Sequence, residues 1–164
     1  MFANLFIVFA ILTVAGAFMW LKPSAHDRRL SQLRSAALSQ GLKLYSLKVP
    51  DTSVEGRVGD KHELRTLYRL LHSFSKAQAP SFTVVRTTGV SSAFLPDGWI
   101  WADDKRASDA QMSALVDFLT DLPEHYSVVD AQADGVGVSW DESGIDGLPA
   151  VRETLQRLVS ILSL

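Results

Sequence analysis

The chain contains no cysteine among its 164 residues. Disulfide bonds, thiolate metal sites and a cysteine nucleophile are therefore excluded. Also lacking are histidine pairs at metal-ligand spacing, an HExxH motif, a phosphate-binding loop and a nucleophile elbow. The pattern predicts no catalytic residue, no metal and no cofactor, and the histidines are interpreted as surface or helix-end residues: His26, His62, His72 and His125.

Charge is absent from residues 1–21. A helix of this length spans roughly 31 Å, close to the thickness of the hydrocarbon core of a bilayer. Trp20 lies at one boundary, where an indole ring is favoured. The run predicts a retained transmembrane helix over 1–21. The alternative is a cleaved signal peptide releasing a periplasmic domain, but no Lys or Arg precedes the apolar run, and it continues past the small residues at 15–17.

Basic residues follow the predicted span at Lys22, Arg28, Arg29 and Arg34, while only the α-amino group precedes it. By the positive-inside rule the chain is a single-pass protein of a bacterial inner membrane, with its N-terminus outside and its C-terminal domain in the cytoplasm. We expect the same four side chains to contact anionic lipid headgroups.

Small residues recur on one side of the predicted span, at Ala3, Ala10, Thr13 and Ala17. Such a seam lets another helix approach closely, so it is a candidate packing surface for a second membrane protein or for another copy of the chain. The alternative is that alanine is simply common in membrane helices.

Acidic residues dominate the remainder, since ten basic and seventeen acidic residues follow from Val49 onward within a net charge of −2. An acidic body argues against nucleic acid as a partner, because binding phosphates requires a positive face. The hydrophobic fraction of 47% is sufficient to form a packed core.

Hydrophobic periodicity predicts an α+β fold in which helices pack on a mostly antiparallel sheet. Residues 22–41 form a basic helix, capped by Ser24 with Asp27 and ended by Gly41, and residues 42–164 form the main domain. Residues 61–74 fit both a helix and a strand, and the neighbouring strands favour a strand. The other predicted strands cover 42–49, 82–87, 98–101, 126–132 and 136–140, and the turn-rich segment after Pro50 suggests a further short strand at 54–58. Asp134-Gly135 predicts a hairpin between the last two strands.

Two more helices are predicted, over 108–122 and 145–164. The buried face of the first is predicted to consist of Met112, Leu115, Val116 and Leu119. The apolar stripe of the second consists of Leu148, Val151, Leu155, Leu158, Val159 and Leu162.

Trp99, Trp101 and Trp140 are the most distinctive side chains of the domain. They either cover the core beneath a helix or form an aromatic platform for a partner. Two acidic pairs, Asp103-Asp104 and Asp141-Glu142, could act in acid–base chemistry or hold a divalent ion. Both pairs follow predicted strands, where solvated acids are common, and adjacent residues on a strand point to opposite faces.

The apolar run, the segment Leu21-Lys22-Pro23-Ser24 and the basic stretch from Arg28 to Arg34 resemble uncharacterised single-span proteobacterial proteins. Some of these carry a label taken from the small accessory subunit of the Sec preprotein translocase, which is similar in topology. The resemblance covers roughly residues 1–45. It implies a single span and an inner-membrane setting, and it assigns no functional residue.

These observations favour a membrane-anchored, non-enzymatic interaction module that binds a membrane complex. The alternative is a membrane-tethered enzyme or small-ligand binder whose site is assembled from distant residues, namely the two acidic pairs with a histidine.

Overall fold

The computed structural model describes residues 2–20, 24–52, 61–77 and 79–163, with the side chains of the first helix described at 6–16. The α-helices in these ranges are α1 (Phe2–Trp20), α2 (Ala25–Ser39), α3 (Asp109–Asp121) and α4 (Leu148–Leu162), with a short 3-10 helix at Ile145–Gly147 before α4. The strands are β1 (Lys43–Pro50), β2 (His62–Leu71), β3 (Phe82–Arg86), β4 (Trp99–Trp101), β5 (Tyr126–Gln132) and β6 (Gly135–Trp140).

The described strands form one six-stranded sheet in the order β1-β2-β6-β5-β3-β4, and every neighbouring pair is antiparallel. The β5–β6 hairpin lies at its centre and turns through Ala133 and Asp134. Gly135 follows with φ +151°, a conformation that side-chain-bearing residues rarely adopt. β1 and β4 are the two edge strands.

The main core lies between one face of this sheet and the helices. α4 supplies apolar side chains at helical spacing, and the strands supply aromatic and β-branched side chains opposite them. Burying each large apolar side chain stabilises the fold by about 1.5–3 kcal/mol, so this layer is the main source of stability. The buried side chains of α4 are Leu148, Val151, Leu155, Leu158 and Leu162.

A smaller core occupies the opposite face of the sheet. Val49 of edge strand β1 and Ile100 of edge strand β4 belong to the same buried cluster, together with Leu67, Val85 and Val128. The sheet therefore curls until its edges approach each other at this end. The hydroxyl of Thr52, just after β1, donates to the carbonyl of Arg86 in β3 at 2.8 Å.

A β-bulge between Tyr126 and Val128 determines which side chains of β5 reach the helices. Strict alternation would place these two residues on the same face. Because of the bulge, Val128 joins the smaller core while Tyr126 lies in the helix-covered core. There the Tyr126 hydroxyl lies 3.2 Å from the hydroxyl of Thr154 in α4.

Most predicted elements are confirmed. The antiparallel α+β layout, the β5–β6 hairpin and the strand at 61–74 are present, and Ser24 and Asp27 form the expected capping box of α2. The suggested short strand at 54–58 lies outside the described residues.

The buried face of α3 differs from the prediction. Leu115 and Leu119 are buried as expected, but Gln111 and Phe118 are buried with them, whereas Met112 and Val116 are only partly covered. The amide nitrogen of Gln111 donates to the carbonyl of Leu162 at 3.2 Å. This hydrogen bond to the end of α4 satisfies the buried side-chain amide of Gln111. The buried face of α3 therefore includes a polar residue, which apolar spacing alone does not predict.

The predicted transmembrane helix over 1–21 is wrong. Among the residues that the structure describes, no helix is both long enough and apolar enough to cross a membrane. A crossing requires about 30 Å of apolar helix. The predicted localisation as a single-pass inner-membrane protein, and the predicted orientation, depended on that helix. Both predictions are therefore wrong as well.

Replacing Gly135 by alanine is expected to destabilise the fold strongly. A Cβ atom there would lie 2.4 Å from the carbonyl oxygen of Leu70, in a backbone conformation that already disfavours a side chain. Because the obstructing atom belongs to the backbone of β2, relief requires parting β2 from β6. We expect a loss of about 3 kcal/mol in the free energy of unfolding, measured by urea denaturation.

Gly144 provides the matched control, since it has extended backbone and a Cβ atom added there would meet nothing within 4 Å. Gly144→Ala should change the free energy of unfolding by less than about 0.5 kcal/mol. Equal effects of the two substitutions would contradict the assigned register between β2 and β6.

Candidate functional site

Three elements that are distant in sequence meet at the carboxylate of Glu142, in the loop after β6. Arg34 of α2 donates from Nε to Oε1 and from Nη2 to Oε2, each at 2.9 Å. The phenol of Tyr68 in β2 donates to Oε1 at 2.6 Å. Arg34 Nη2 also donates to the hydroxyl of Thr66 at 3.2 Å. We call Arg34, Glu142 and Tyr68 the carboxylate cluster.

Local structure explains this convergence. Tyr68 points to the helix-covered face because it alternates with Leu67, which points to the other face. Arg34 follows Leu33, whose buried side chain sets the rotation of α2 on the sheet. The β2–β6 register places Tyr68 opposite Val138, so the end of β6 lies beside it.

Electrostatics hold the cluster in one protonation state. Burial by itself raises the pKa of Glu142, but the hydrogen bonds from Arg34 and Tyr68 outweigh it and lower the pKa below the ordinary value of 4.5. Burial, followed by the hydrogen bond to Glu142, raises the pKa of Tyr68 above the ordinary value of 10.0. At neutral pH the carboxylate is ionised and the phenol is protonated.

Glu142 also has an unusual backbone, with φ +51°. A non-glycine residue in this region costs of order 1–3 kcal/mol and persists where surrounding contacts hold it. The bidentate pair with Arg34 and the phenol of Tyr68 supply such contacts. The guanidinium of Arg29 adds another by donating to the carbonyl of Ser143 at 3.2 Å.

The cavity beside the cluster is small, at about 240 Å³, and it is lined by the loop after β6 and by Arg29, Gln32 and Leu33 of α2. Pockets for small molecules usually measure 300–1,000 Å³. The carboxylate already accepts three hydrogen bonds and is ionised, so the geometry suits a structural link between α2 and the domain better than proton transfer.

A larger cavity of about 500 Å³ lies at the end of β3 and includes Arg65 and Arg86 in its lining. The guanidinium of Arg86 donates to the carbonyls of Tyr126, Leu122 and Pro123, and it lies 4.6 Å from the centroid of the Trp99 ring. Burial lowers the pKa of Arg86. These hydrogen bonds satisfy backbone carbonyls at the end of α3 and just after it. Arg86 therefore has a structural role.

A buried polar group lies on the other face of the sheet. Asp130 accepts from the hydroxyl of Thr83 at 2.8 Å and lies 3.7 Å from Arg69 Nη2, which also donates to Asp134 at 2.8 Å. Within the described chain, the buried side-chain atoms without a hydrogen-bond partner are Arg69 Nε and Trp140 Nε1. Each buried donor left unsatisfied costs about 1–3 kcal/mol.

The two acidic pairs predicted from sequence do not meet. Asp141 and Glu142 follow β6, whereas Asp103 and Asp104 follow β4, with β5 and β3 between these strands. The antiparallel order directs β4 and β6 oppositely, so the pairs lie at opposite ends of the sheet. Of these four acids, only Glu142 is partly buried and accepts several hydrogen bonds, as a structural or functional centre would.

The histidines are also separated. His26, His62 and His125 are exposed, and His72 is half-buried with its ring 4.7 Å from that of Phe74. In the described ranges no group of three or more His, Asp or Glu side chains could hold a metal ion.

The three tryptophans lie in the core rather than on a surface. Trp99, Trp101 and Trp140 are 1%, 7% and 6% exposed, which leaves no ring face open to a partner. Trp140 packs edge-on against Tyr68 at 5.9 Å, and Trp101 packs edge-on against Phe82 at 6.0 Å. Their large apolar area therefore serves packing.

The four basic residues assigned to lipid headgroups have different surroundings. Arg34 is committed to Glu142 and Arg29 bonds to Ser143, while Arg28 is exposed. Lys22 lies outside the described residues. Of the predicted packing seam, Ala10 and Thr13 are exposed, and Thr13 donates to the carbonyl of Phe9 at 2.7 Å. The side chains of Ala3 and Ala17 lie outside the described set.

Sequence reasoning does not identify the carboxylate cluster. It singles out Glu142 only as one of an acidic pair, and Arg34 only as a lipid contact. The cluster joins residues 108 and 74 positions apart, and no short-range spacing signals such a contact.

No family model matches this sequence, and comparison with curated proteins and with solved structures returns no match. The resemblance to single-span proteobacterial proteins therefore stays a prediction.

Replacing Glu142 by glutamine should destabilise the fold by about 1–3 kcal/mol at pH 7, because the Arg34 guanidinium loses its charged partner. The lowered pKa of Glu142 fixes the sign of the pH dependence: its contribution is present above the ordinary value of 4.5 and is lost as pH falls through the lowered folded-state value. The difference between the two proteins should therefore shrink in acid, as measured by urea unfolding at a series of pH values.

Asp121→Asn is the matched control, since Asp121 pairs with Arg157 at 2.8 Å but both side chains are more than half exposed. This pair should contribute less than about 1 kcal/mol. A Glu142→Gln effect no larger than the control, or one unchanged by acid, would refute the structural role of the cluster.

Proposed function

We propose that this chain is a non-enzymatic interaction module that attaches to a partner protein through α1. The observation that carries the proposal is the exposed apolar surface of that helix. Its large side chains are 54–73% exposed: Phe6, Ile7, Val8, Phe9, Ile11, Leu12 and Val14. Contiguous apolar surface of this kind marks an interaction site.

The surface surrounds the helix rather than forming one stripe. Phe6 and Phe9 are exposed, and so are Ile7, Val8 and Ile11 at intermediate angles. A helix that is apolar on all sides exposes apolar area to water unless another surface covers it. Because helix propensity contributes little stability in water, such a helix is stabilised mainly by packing against an apolar surface. The polar side chain of Thr13 is compatible with apolar packing, because its hydroxyl donates a hydrogen bond to the carbonyl of Phe9 within the same helix.

Small side chains support a protein as the partner. Ala10 and Thr13 lie three residues apart on α1, and the space around Gly16 is open. Such positions let the backbone of another helix approach closely, and large neighbours such as Phe9 and Leu12 can then fill grooves in it. The proposed partner is therefore a chain with an apolar helical groove.

The enzyme or ligand-binding alternative has less support. It requires the acidic pairs or a histidine to converge on a pocket. Asp103 and Asp104 lie at the opposite end of the sheet from Glu142, whose carboxylate is occupied by Arg34 and Tyr68.

A photocrosslinking amino acid placed at Phe9 or Leu12 tests the proposal in cells that produce the full chain at native level. We expect one protein adduct of discrete mass from both positions. The same probe at exposed Leu64, on β2, should not give that adduct. Adducts confined to lipid, or no adduct at positions 9 and 12, would overturn the proposal of a protein partner.

Leu12→Glu should weaken the complex at least about tenfold, because burying one unpaired carboxylate costs more than about 1.4 kcal/mol. Leu64→Glu is the matched control, since Leu64 is 72% exposed and should leave the adduct yield unchanged. Equal loss from both variants would indicate general misfolding instead of a contact at α1.

A further inference from the structure

The two edges of the sheet differ in how their backbone groups are satisfied. The outer edge of β4 is covered by the preceding loop. Ser92 donates from its backbone to the carbonyl of Trp99 at 3.0 Å, and its hydroxyl accepts from the N–H of Trp101 at 3.3 Å. The hydroxyl of Ser91 accepts from the N–H of Gly98 at 2.8 Å. This loop prevents another strand from pairing with β4.

The edge of β1 has no such cover within the described chain, where β1 pairs only with β2. Its last residues, Val49 and Pro50, are buried where the sheet curls. Lys43, Tyr45, Ser46 and Lys48 are exposed, so the first part of the strand is accessible.

The register identifies which residues direct their backbone groups outward. Asp51 donates from its N–H to the carbonyl of Lys61, which makes this a hydrogen-bonded pair. Antiparallel pairing alternates between hydrogen-bonded and non-hydrogen-bonded pairs. Counting back by two, odd-numbered residues of β1 bond to β2, and Leu44, Ser46 and Lys48 direct their N–H and C=O groups away from the sheet.

We propose that this open edge of β1 binds an extended, acidic segment of another protein, which adds to the sheet as a further strand. Unpaired backbone donors and acceptors at strand spacing are recognised by another extended backbone, which is the basis of binding by strand addition. The site is separate from α1 and does not depend on the partner proposed for that helix.

Charge indicates the composition of the segment. Lys43 and Lys48 lie at the two ends of the open edge and, five residues apart, point to opposite faces of the sheet. Arg65 lies opposite Leu47 on β2 with its side chain 44% exposed, although Glu63 pairs with it. Opposite charges across neighbouring strands stabilise pairing by about 0.2–1 kcal/mol each.

A second copy of this chain fits the edge less well. Because outward-directed residues must face each other, an antiparallel pairing of two copies would centre on Ser46 and place Lys48 of one copy opposite Leu44 of the other. β1 contains no acidic residue, so a second copy would bring four lysines to the interface and no carboxylate to pair with them. The competing interpretation is that these lysines only protect the edge from pairing, and the experiment must separate the two.

The probe is a short fluorescein-labelled peptide of alternating valine and threonine, with two glutamates at the spacing of Lys43 and Lys48. Its binding to the full chain is followed by fluorescence anisotropy, and amide NMR shifts locate the contact. We expect binding with shifts concentrated at Leu44, Ser46 and Lys48. The same peptide N-methylated on alternate amides should bind at least about tenfold more weakly, because it cannot pair along the edge.

Two variants make the test specific. Ser46→Pro removes one outward N–H that β2 does not use, and it should weaken binding at least about threefold relative to Ser46→Ala. Charge reversal at Lys43 and Lys48 to glutamate should transfer preference to the lysine version of the peptide. Absence of binding at about 1 mM peptide, equal binding of the N-methylated peptide, or an unchanged charge preference would overturn the proposal.

Discussion

The bond network around Glu142 is the interaction on which the arrangement of the domain depends. It joins α2, β2 and the loop that leads to α4 through one ionised carboxylate. α2 otherwise contributes few buried side chains, chiefly Leu33 and Ala37. The end of α2 is held as well, because Arg152 of α4 donates to the carbonyl of Gln40 at 2.7 Å.

Fixing α2 also fixes the start of β1, since only Gln40, Gly41 and Leu42 connect them. Gly41 has φ +82° and Leu42 is buried, so the connection is tight and specific. The edge strand proposed to bind an extended segment is therefore held along one side by β2 and at its start by the anchored helix. A rigid edge loses less entropy on binding than a mobile one.

The two surfaces proposed for partners are those the core does not use. Trp99, Trp101 and Trp140 are buried, although tryptophan often serves as a contact residue, and the partly buried acid Glu142 links α2 to β2. In the described part of the chain, the apolar side-chain surface of α1 and the backbone edge of β1 are both accessible. They differ in chemistry, so they suit different partners: an apolar groove for the helix, and an acidic extended chain for the strand.

Much of the fold could be predicted because its signals are local. Asp134-Gly135 specifies a hairpin, Ser24 with Asp27 specifies a helix start, and the spacing of Leu148, Val151 and Leu155 specifies the buried face of α4. Each depends on residues only a few positions apart.

The predictions were wrong where contacts between residues distant in sequence determine the structure. The bulge beside Tyr126 and the burial of Gln111 reflect packing against α4. The pairing of Arg34 with Glu142 spans 108 positions and carries no local pattern. For α1, the uncharged apolar run predicts a helix that packs against an apolar surface, but amino-acid composition does not identify which surface that is.

Hydrogen exchange of the α2 amides tests the central role of Glu142 most directly. If the carboxylate anchors α2, Glu142→Gln should accelerate exchange throughout α2 by at least about tenfold, corresponding to about 1.4 kcal/mol, whereas the control Asp121→Asn should accelerate it less than about threefold. Unchanged exchange in α2, or equal acceleration by the two variants, would contradict the account.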